Sequence, residues 1–377
     1  MKIFVYLYIF ALLFVVFDSG CKTKTEHIKP PTVSVTAHEL FAIDEGQDKK
    51  SVIGRMGHIK TDKNKKIYIS DEMSLYIKVF NPNGTFDKNI GGRGQAPGQF
   101  QEITDFVIMG DSVLVFDRTL SVVHILDLDG KFIGSKKISS KSHVFPALVY
   151  SFGNKMIFLN KSDNDNNFLT INDFDKKESV LNFSDIDLSD DNFFNGFVRW
   201  VPGHVAVHQD KIYYAPALYT DKIYVSEFKD NKWNMSYMKG FTEFEKPYTS
   251  LDEKSSKEYL KTLSNYGDFG YKDKKYLATI HTFSNGVYTF KNKILLNFIG
   301  TSTIKQKKTN LFVEVFDIKT ALSIGYGEIK SLQKLDNTVI TKPRLLPQYK
   351  DENDVFYVID NSFPVPVIRA VKLKIES

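Results

Sequence analysis

The residues that could do chemistry are scattered. Of eight histidines, the closest useful pair is His204 and His208 in "HVAVH". On a helix that spacing could hold zinc. Val205 and Val207 between them, and "KIYYA" after them, argue for a strand, where four residues span about 13 Å and one metal is out of reach of both rings. "SDNDNNF" (162–168) offers Asp163, Asp165 and Asn167 at the first three ligand positions of a calcium loop. Phe168 stands where the sharp-turn glycine belongs and Phe174 where the bidentate glutamate belongs, so a hairpin tip is the reading. Carboxylates are plentiful, as in "SDIDLSDDN" (184–192), but nothing in the sequence pairs two of them for glycoside chemistry. No Gly-x-Ser-x-Gly elbow occurs. "GGRGQAPGQF" (91–100) has neither the lysine of a phosphate loop nor the third glycine and helix of a dinucleotide site. No metal and no cofactor are expected, and no catalytic residue is identified.

Binding residues are easier to nominate than catalytic ones. Arg93, Arg118 and Arg199 fall at expected strand ends or loops. Trp200 closes the aromatic run "FFNGFVRW" and Tyr219 lies in "YYAPALYTDKIYV". Aromatic faces stack on sugars and peptides, although in β runs they more often fill the interior. These five are the candidate ligand contacts if a ring of sheets places a pocket at its central mouth.

Composition narrows the classes. Aromatics make up 14% of the chain, with 31 Phe and 19 Tyr, which favours pleated, half-buried surfaces. A net charge of +5 with lysines interspersed among acids leaves no nucleic-acid footprint.

The N-terminus reads as an address. "IFVYLYIFALLFVVF" (3–17) behind Lys2 is too short for a comfortable membrane span but suits the core of a signal peptide over residues 1–20. Ser19 and Gly20 precede Cys21, the single cysteine, in an arrangement that resembles the lipobox of bacterial lipoproteins, although Asp18 departs from its usual apolar residue. That resemblance implies lipidation of Cys21. The alternative is an uncleaved anchor helix with an incidental cysteine. Residues 21–36, with Pro30 and Pro31 and no apolar periodicity, read as a flexible tether.

From residue 37 onwards one element recurs: a polar turn, then a short β-rich run. The copies are "KNKKIYISD" (63–71), "GDSVLVFD" (110–117), "GNKMIFLN" (153–160), "HQDKIYYAP" (208–216), "KNKILLNF" (291–298) and "ENDVFYVID" (352–360). A small sheet with two apolar faces cannot bury them alone, but stacked neighbours can. Six units of about 57 residues fit a closed ring. The expected fold is all-β, a six-bladed β-propeller over 37–377. In it a strand near "HELFAI" (38–43) pairs with the C-terminal "VIRAVKLKI" (367–375) to close the circle. A β-sandwich or two smaller β domains are the alternative. The longest gap lies between the fourth and fifth copies. There "SLDEKSSKEYLKTLSNYG" (250–267), with a Ser250 cap, Glu253 three residues on and a Gly267 stop, predicts a short helix on an inserted loop at 241–275.

The stretch "KIYISDEMSLYIKVFNPNGTFDKNIGGRGQAPGQFQEITDF" (66–106) is similar to the NHL-type propeller repeat, and with the lipobox the chain resembles the six-bladed propeller lipoproteins of Bacteroides-type bacteria. That implies a cell-envelope location, with membrane contact through the lipid, and no single reaction. The glycine-rich stretch then becomes a connection between blades, with Phe100 plugging adjacent sheets. The leading expectation is a propeller that binds a polymer (a glycan), a peptide or an envelope protein without catalysis. The alternative is a hydrolase or lyase for glycans or peptides. A compact His, Arg and carboxylate cluster at the mouth would favour the enzyme, and a broad aromatic groove would favour binding.

Overall fold

The computed structural model describes residues 31–44, 49–138, 146–160, 169–173, 179–182, 192–201, 203–230, 232–241, 247–250, 266–271, 274–302, 309–329, 345–360 and 365–376. Strand β1 (Ser34–Ile43) is followed by blade 1, made of β2 (Met56–Thr61), β3 (Ile67–Asp71), β4 (Tyr76–Phe80) and β5 (Phe86–Gly91). Blade 2 is β6 (Ile103–Met109), β7 (Ser112–Asp117), β8 (Val122–Asp127) and β9 (Phe132–Lys137). Blade 3 is β10 (Pro146–Phe152), β11 (Lys155–Asn160), β12 (Leu169–Asp173) and β13 (Ser179–Asn182). Helix α1 (Asn192–Trp200) leads to blade 4, made of β14 (His204–His208), β15 (Lys211–Ala215), β16 (Lys222–Lys229) and β17 (Lys232–Lys239). A small sheet of β18 (Tyr248–Ser250), β19 (Tyr266–Tyr271) and β20 (Lys274–Ile280) precedes blade 5, which is β21 (Thr282–Phe290), β22 (Ile294–Ser302), β23 (Thr309–Asp317) and β24 (Leu322–Glu328). Blade 6 is β25 (Leu345–Lys350), β26 (Val355–Asp360) and β27 (Val367–Glu376), completed by β1 as its outer strand.

Each of the six recurring motifs ends in the second strand of a blade: β3, β7, β11, β15, β22 and β26. The polar turn before each of them carries a residue in the left-handed region: Lys65, Gly110, Gly153, Gln209, Asn292 and Asp354. A tight connection between twisted antiparallel strands demands that backbone, which explains why polar residues recur there. Closure follows the expected route. β1 pairs antiparallel with β27 from Ser34↔Glu376 to Ile43↔Ile368, with a bulge between Glu39 and Phe41.

The core is not one mass. Six apolar clusters occur among the described residues; five join two neighbouring blades, and the sixth joins blades 3 and 4 through helix α1 and extends to the small sheet and the start of β21. Ile77 of blade 1 and Phe106 of blade 2 share one, Val107 and Val149 mark the next, and so on to Tyr357 and Ile69 between blades 6 and 1. Cohesion therefore resides between wedges rather than within them.

The glycine-rich loop joins blades 1 and 2. Phe100 is fully buried between the two sheets, edge-on to His124 at 5.3 Å. Gly91, at φ +84°, lies so close to it that a Cβ there would sit 2.0 Å from the Phe100 ring. Gly91→Ala is expected to cost about 3 kcal/mol or more, from strained backbone and overpacking together. The urea midpoint of unfolding measures it, and an unchanged midpoint would show that the plug is not tight.

Two sequence expectations change, and a third lies largely outside the described residues. "FFNGFVRW" is helix α1 rather than a β run, because Phe193, Phe194, Phe197 and Val198 are buried at helical spacing between blades 3 and 4. The short helix expected over 250–267 falls mostly on residues outside those described. Its described flanks, Tyr248–Ser250 and Tyr266–Tyr271, are strands, and Gly267 pairs with Ala278 instead of ending a helix. The folded unit begins at Pro31 rather than 37. Val33 N–H donates to Tyr326 O at 3.0 Å and Tyr326 N–H to Pro31 O at 3.1 Å, so the segment before β1 is held on blade 5. Cys21 and the acidic stretches at 162–168 and 184–191 lie outside the described residues.

Candidate functional site

First strands begin, and second strands end, on one face of the ring. The connections between blades and the turns after the second strands therefore converge there. Ile103, opening β6, is paired with Asp117, closing β7. On this face a cavity of about 650 Å³ opens between blades 1 and 2 and reaches the start of blade 3. It is lined by Arg55, His58 and Glu72, by Arg93, and by Glu102 and Arg118.

Buried aspartates position these side chains. Asp71, at the end of β3, accepts the backbone N–H groups of Arg55 at 3.0 Å and Met73 at 3.1 Å, and the Ser74 hydroxyl at 2.6 Å. Asp117, at the end of β7, accepts Gln101 N–H at 2.7 Å and Leu120 N–H at 3.0 Å. Burial pushes both carboxyls up. The Ser74 hydroxyl and backbone N–H groups for Asp71, and the His124 ring 3.7 Å away with backbone N–H groups for Asp117, outweigh it and hold both below the usual carboxylate range. Each aspartate thus ties the connection entering its blade to the turn that follows its second strand. Arg55 is fixed by the first and Arg118 by the second.

Arg55 Nε lies 2.9 Å from Glu72 and Arg118 Nη1 3.3 Å from Glu102, which also accepts the Thr119 hydroxyl. Arg93 is different. Its Nη2 donates to the Met73 carbonyl at 3.1 Å, and no carboxylate pairs with it among the described residues. Among the described residues the lining therefore keeps one guanidinium that no carboxylate pairs. Deeper, on the first strands, His58 Nδ1 is 3.7 Å from Asp105, a carboxylate only 1% exposed that also accepts Val149 N–H at 2.7 Å. Lys60 reaches the same group at 3.8 Å.

The sequence candidates divide. Arg93 and Arg118 meet in this cavity although 25 positions and a whole strand pair separate them. Arg199 and Trp200 end helix α1, in the connection between blades 3 and 4, and their side chains lie outside the described residues. Tyr219 is elsewhere. It is fully buried between blades 4 and 5 and donates its hydroxyl to Glu314, so it cannot meet a ligand at the mouth. Arg55 and His58 were not nominated from sequence. The available signal was position, because both flank the start of blade 1's first strand, the counterpart of the segment that carries Glu102. His204 lies in strand β14, where its Nε2 is 3.1 Å from the Ser284 carbonyl, with His208 four residues along.

The helix α1 aromatics pack with Tyr248, whose ring stacks on Phe193 at 4.1 Å. These elements cover blades 3 to 5, whereas blades 1 and 2 keep the open, polar cavity.

Known proteins share this architecture. A member of the DUF4221 family from Bacteroides vulgatus superposes with a TM-score of 0.58 at 10% identity, covering 93% of this chain and 100% of its own. A Bacteroides fragilis protein described as exported gives 0.50 at 11% identity, covering 91% and 95%. At such identity the likeness is one of fold. No curated protein matches the sequence. Residues 47–289 match a family described as a 6-bladed beta-propeller. With six blades closed by the two ends of the chain, the protein belongs to that family, DUF5128.

Proposed function

We propose that this chain is a lipid-anchored propeller of the cell envelope that binds an anionic partner, a polymer, peptide or protein, in the cavity between blades 1 and 2, without catalysis. The carrying observation is Arg93, an exposed guanidinium whose partner among the described residues is the Met73 carbonyl, set beside Arg55 and Arg118 in one cavity. A planar fork of donors suits a carboxylate, sulfate or phosphate and gains from being held in place. The exported relative and the signal-like N-terminus support the location. Cys21 supports the anchor, and Cys21→Ala is the variant that should release the protein from washed membranes.

Titration with polygalacturonate, poly-γ-glutamate and neutral dextran tests the ligand class. Binding is expected for the acidic polymers and not for dextran. In Arg93→Ala/Arg118→Ala it should weaken about 100-fold, as two charge-assisted contacts are lost. It should also weaken with added salt. Equal binding of dextran, or affinity unchanged in the double variant, defeats the reading.

A second reading, a hydrolase or lyase at the same place, is favoured by one observation: His58 lines the cavity next to the buried Asp105 carboxylate. An imidazole oriented by a buried acid is a base arrangement, and the lining has the compact composition that suits an enzyme. Against it, Glu72 and Glu102 are each engaged by an arginine. If the acidic polymers are shortened by the native chain and not by His58→Gln, the enzyme reading replaces the first.

A further inference from the structure

Among the described residues, four of the eight exposed large apolar side chains lie on one arc of the rim, while the others, such as Met73 and Ile133, stand singly. Leu322 (61% exposed) and Ile324 (44%) project from β24, and Tyr237 (53%) and Met235 (42%) from β17. These are the outer strands of blades 5 and 4, joined end to end by the parallel bridge Lys239↔Leu322. β24 carries a bulge between Ser323 and Gly325, and Leu322 and Ile324 at that end stay exposed. Beyond it Gly325 and Gly327 face the segment Pro31–Val33, where a Cβ on Gly327 would sit 2.0 Å from Val33 O. The chain therefore leaves the ring beside this apolar arc. Lys222 lies over the Tyr237 ring at 5.2 Å and Lys239 is exposed, and neither forms an ion pair among the described residues.

We propose that this arc, the outer edges of blades 4 and 5, rests on the lipid surface to which the chain is anchored, so that the ring stands on its edge. The inference rests on lipidation of Cys21. From Cys21 to Pro31 an extended chain reaches at most about 35 Å, so the departure point at Pro31 cannot stray far from the bilayer. The side chains there have the character of an interfacial patch: aliphatic tips, a tyrosine, and lysines able to meet anionic headgroups. The acyl chains supply the anchoring and the arc supplies orientation. In a ring of six, blades 4 and 5 lie opposite blades 1 and 2. The arginine cavity is then carried on the side away from the membrane, open to a partner in the aqueous phase.

The test uses the full lipidated chain reconstituted into vesicles of phosphatidylethanolamine and phosphatidylglycerol. With Cys21 acylated, Leu322→Cys provides one reactive thiol for a polarity-sensitive dye. Ile133→Cys, on the rim of blade 2 and 60% exposed, provides the opposite position. Spin-labelled lipid is expected to quench the dye at 322 by roughly half and at 133 by less than about a tenth. Equal quenching at both sites, or none at 322 in protein whose N-terminal peptide carries acyl mass, overturns the orientation and leaves the anchor standing. An N-terminal peptide without acyl mass overturns the anchor and the orientation with it.

Discussion

Replacing residues 31–43 by a glycine–serine linker of equal length is expected to leave a ring that does not hold. β1 is the outer strand of blade 6 and, together with Val33 just before it, brings Val35 and Ile43, all three 5% exposed or less, into the clusters that join blade 6 to blades 5 and 1. Burial of three such side chains is worth about 5–8 kcal/mol, against a total stability of about 5–15 kcal/mol for a whole protein. The loss is also not local. An open ring leaves two of the six interfaces weakened and exposes the edge of β27, a template for association. The expected observation is soluble aggregate by size exclusion and no cooperative urea transition. A synthetic peptide of residues 31–43, added during refolding, should restore part of that transition. A linker variant with a native midpoint would show that blade 6 closes without its first strand.

The second large effect concerns two buried groups whose pH dependences oppose each other. Glu314, in β23, accepts hydrogen bonds from Tyr219, from the Ser323 hydroxyl at 2.8 Å and from Phe241 N–H at 2.9 Å. Burial nonetheless dominates, with the Asp221 charge adding to it, and pushes its carboxyl from 4.5 to about 7. The folded state then holds a proton that the unfolded state has lost. Stability from this group is full below pH 4.5 and is lost as pH rises to about 7, by about 3 kcal/mol. His204 works the other way. Burial among the first strands lowers it from 6.5 to about 4, against the Ser284 carbonyl, which favours its charged form. Its contribution is present above pH 6.5 and is lost as pH falls through 4. The residue is only half-buried, so solvent screens part of the charge and about 2 kcal/mol is the fitting size.

The native protein should therefore show a shallow profile between pH 4.5 and 6.5. Glu314→Gln should turn it into one that rises with pH, and His204→Gln into one that falls. Urea unfolding at half-unit pH steps measures all three. Parallel profiles for the native chain and both variants would remove these two groups as the titrating pair.

Much of the fold was legible because it is written locally. A twisted hairpin needs a left-handed residue in its turn, and the chain supplies Lys65, Gln209, Asn292 or Asp354 where glycine is missing. The apolar run that follows is long enough to mark a strand, and repetition of that pair six times leaves a ring as the way to bury every face. Helix α1 was harder. Four buried apolar positions among nine residues fit a strand filler as readily as a stripe facing two blades. Only the gap between blades 3 and 4, which the helix fills, separates the two.

The candidate site was legible in part for the same reason. Arg93 and Arg118 sit at strand ends, which local pattern reveals. Their meeting with Arg55 and His58 in one cavity depends on three different connections reaching the same face. Tyr219 shows the converse, since its neighbours in sequence are turn residues and its neighbours in space are Glu314 and the blade 5 core. The sequence by itself determined the repeated strand, its turns and the number of wedges, because each depends on residues a few positions apart. Only the tertiary structure decided which arginines share a cavity and which aromatic is sealed inside, because a ring brings together residues whose separation along the chain carries no record of their distance in space.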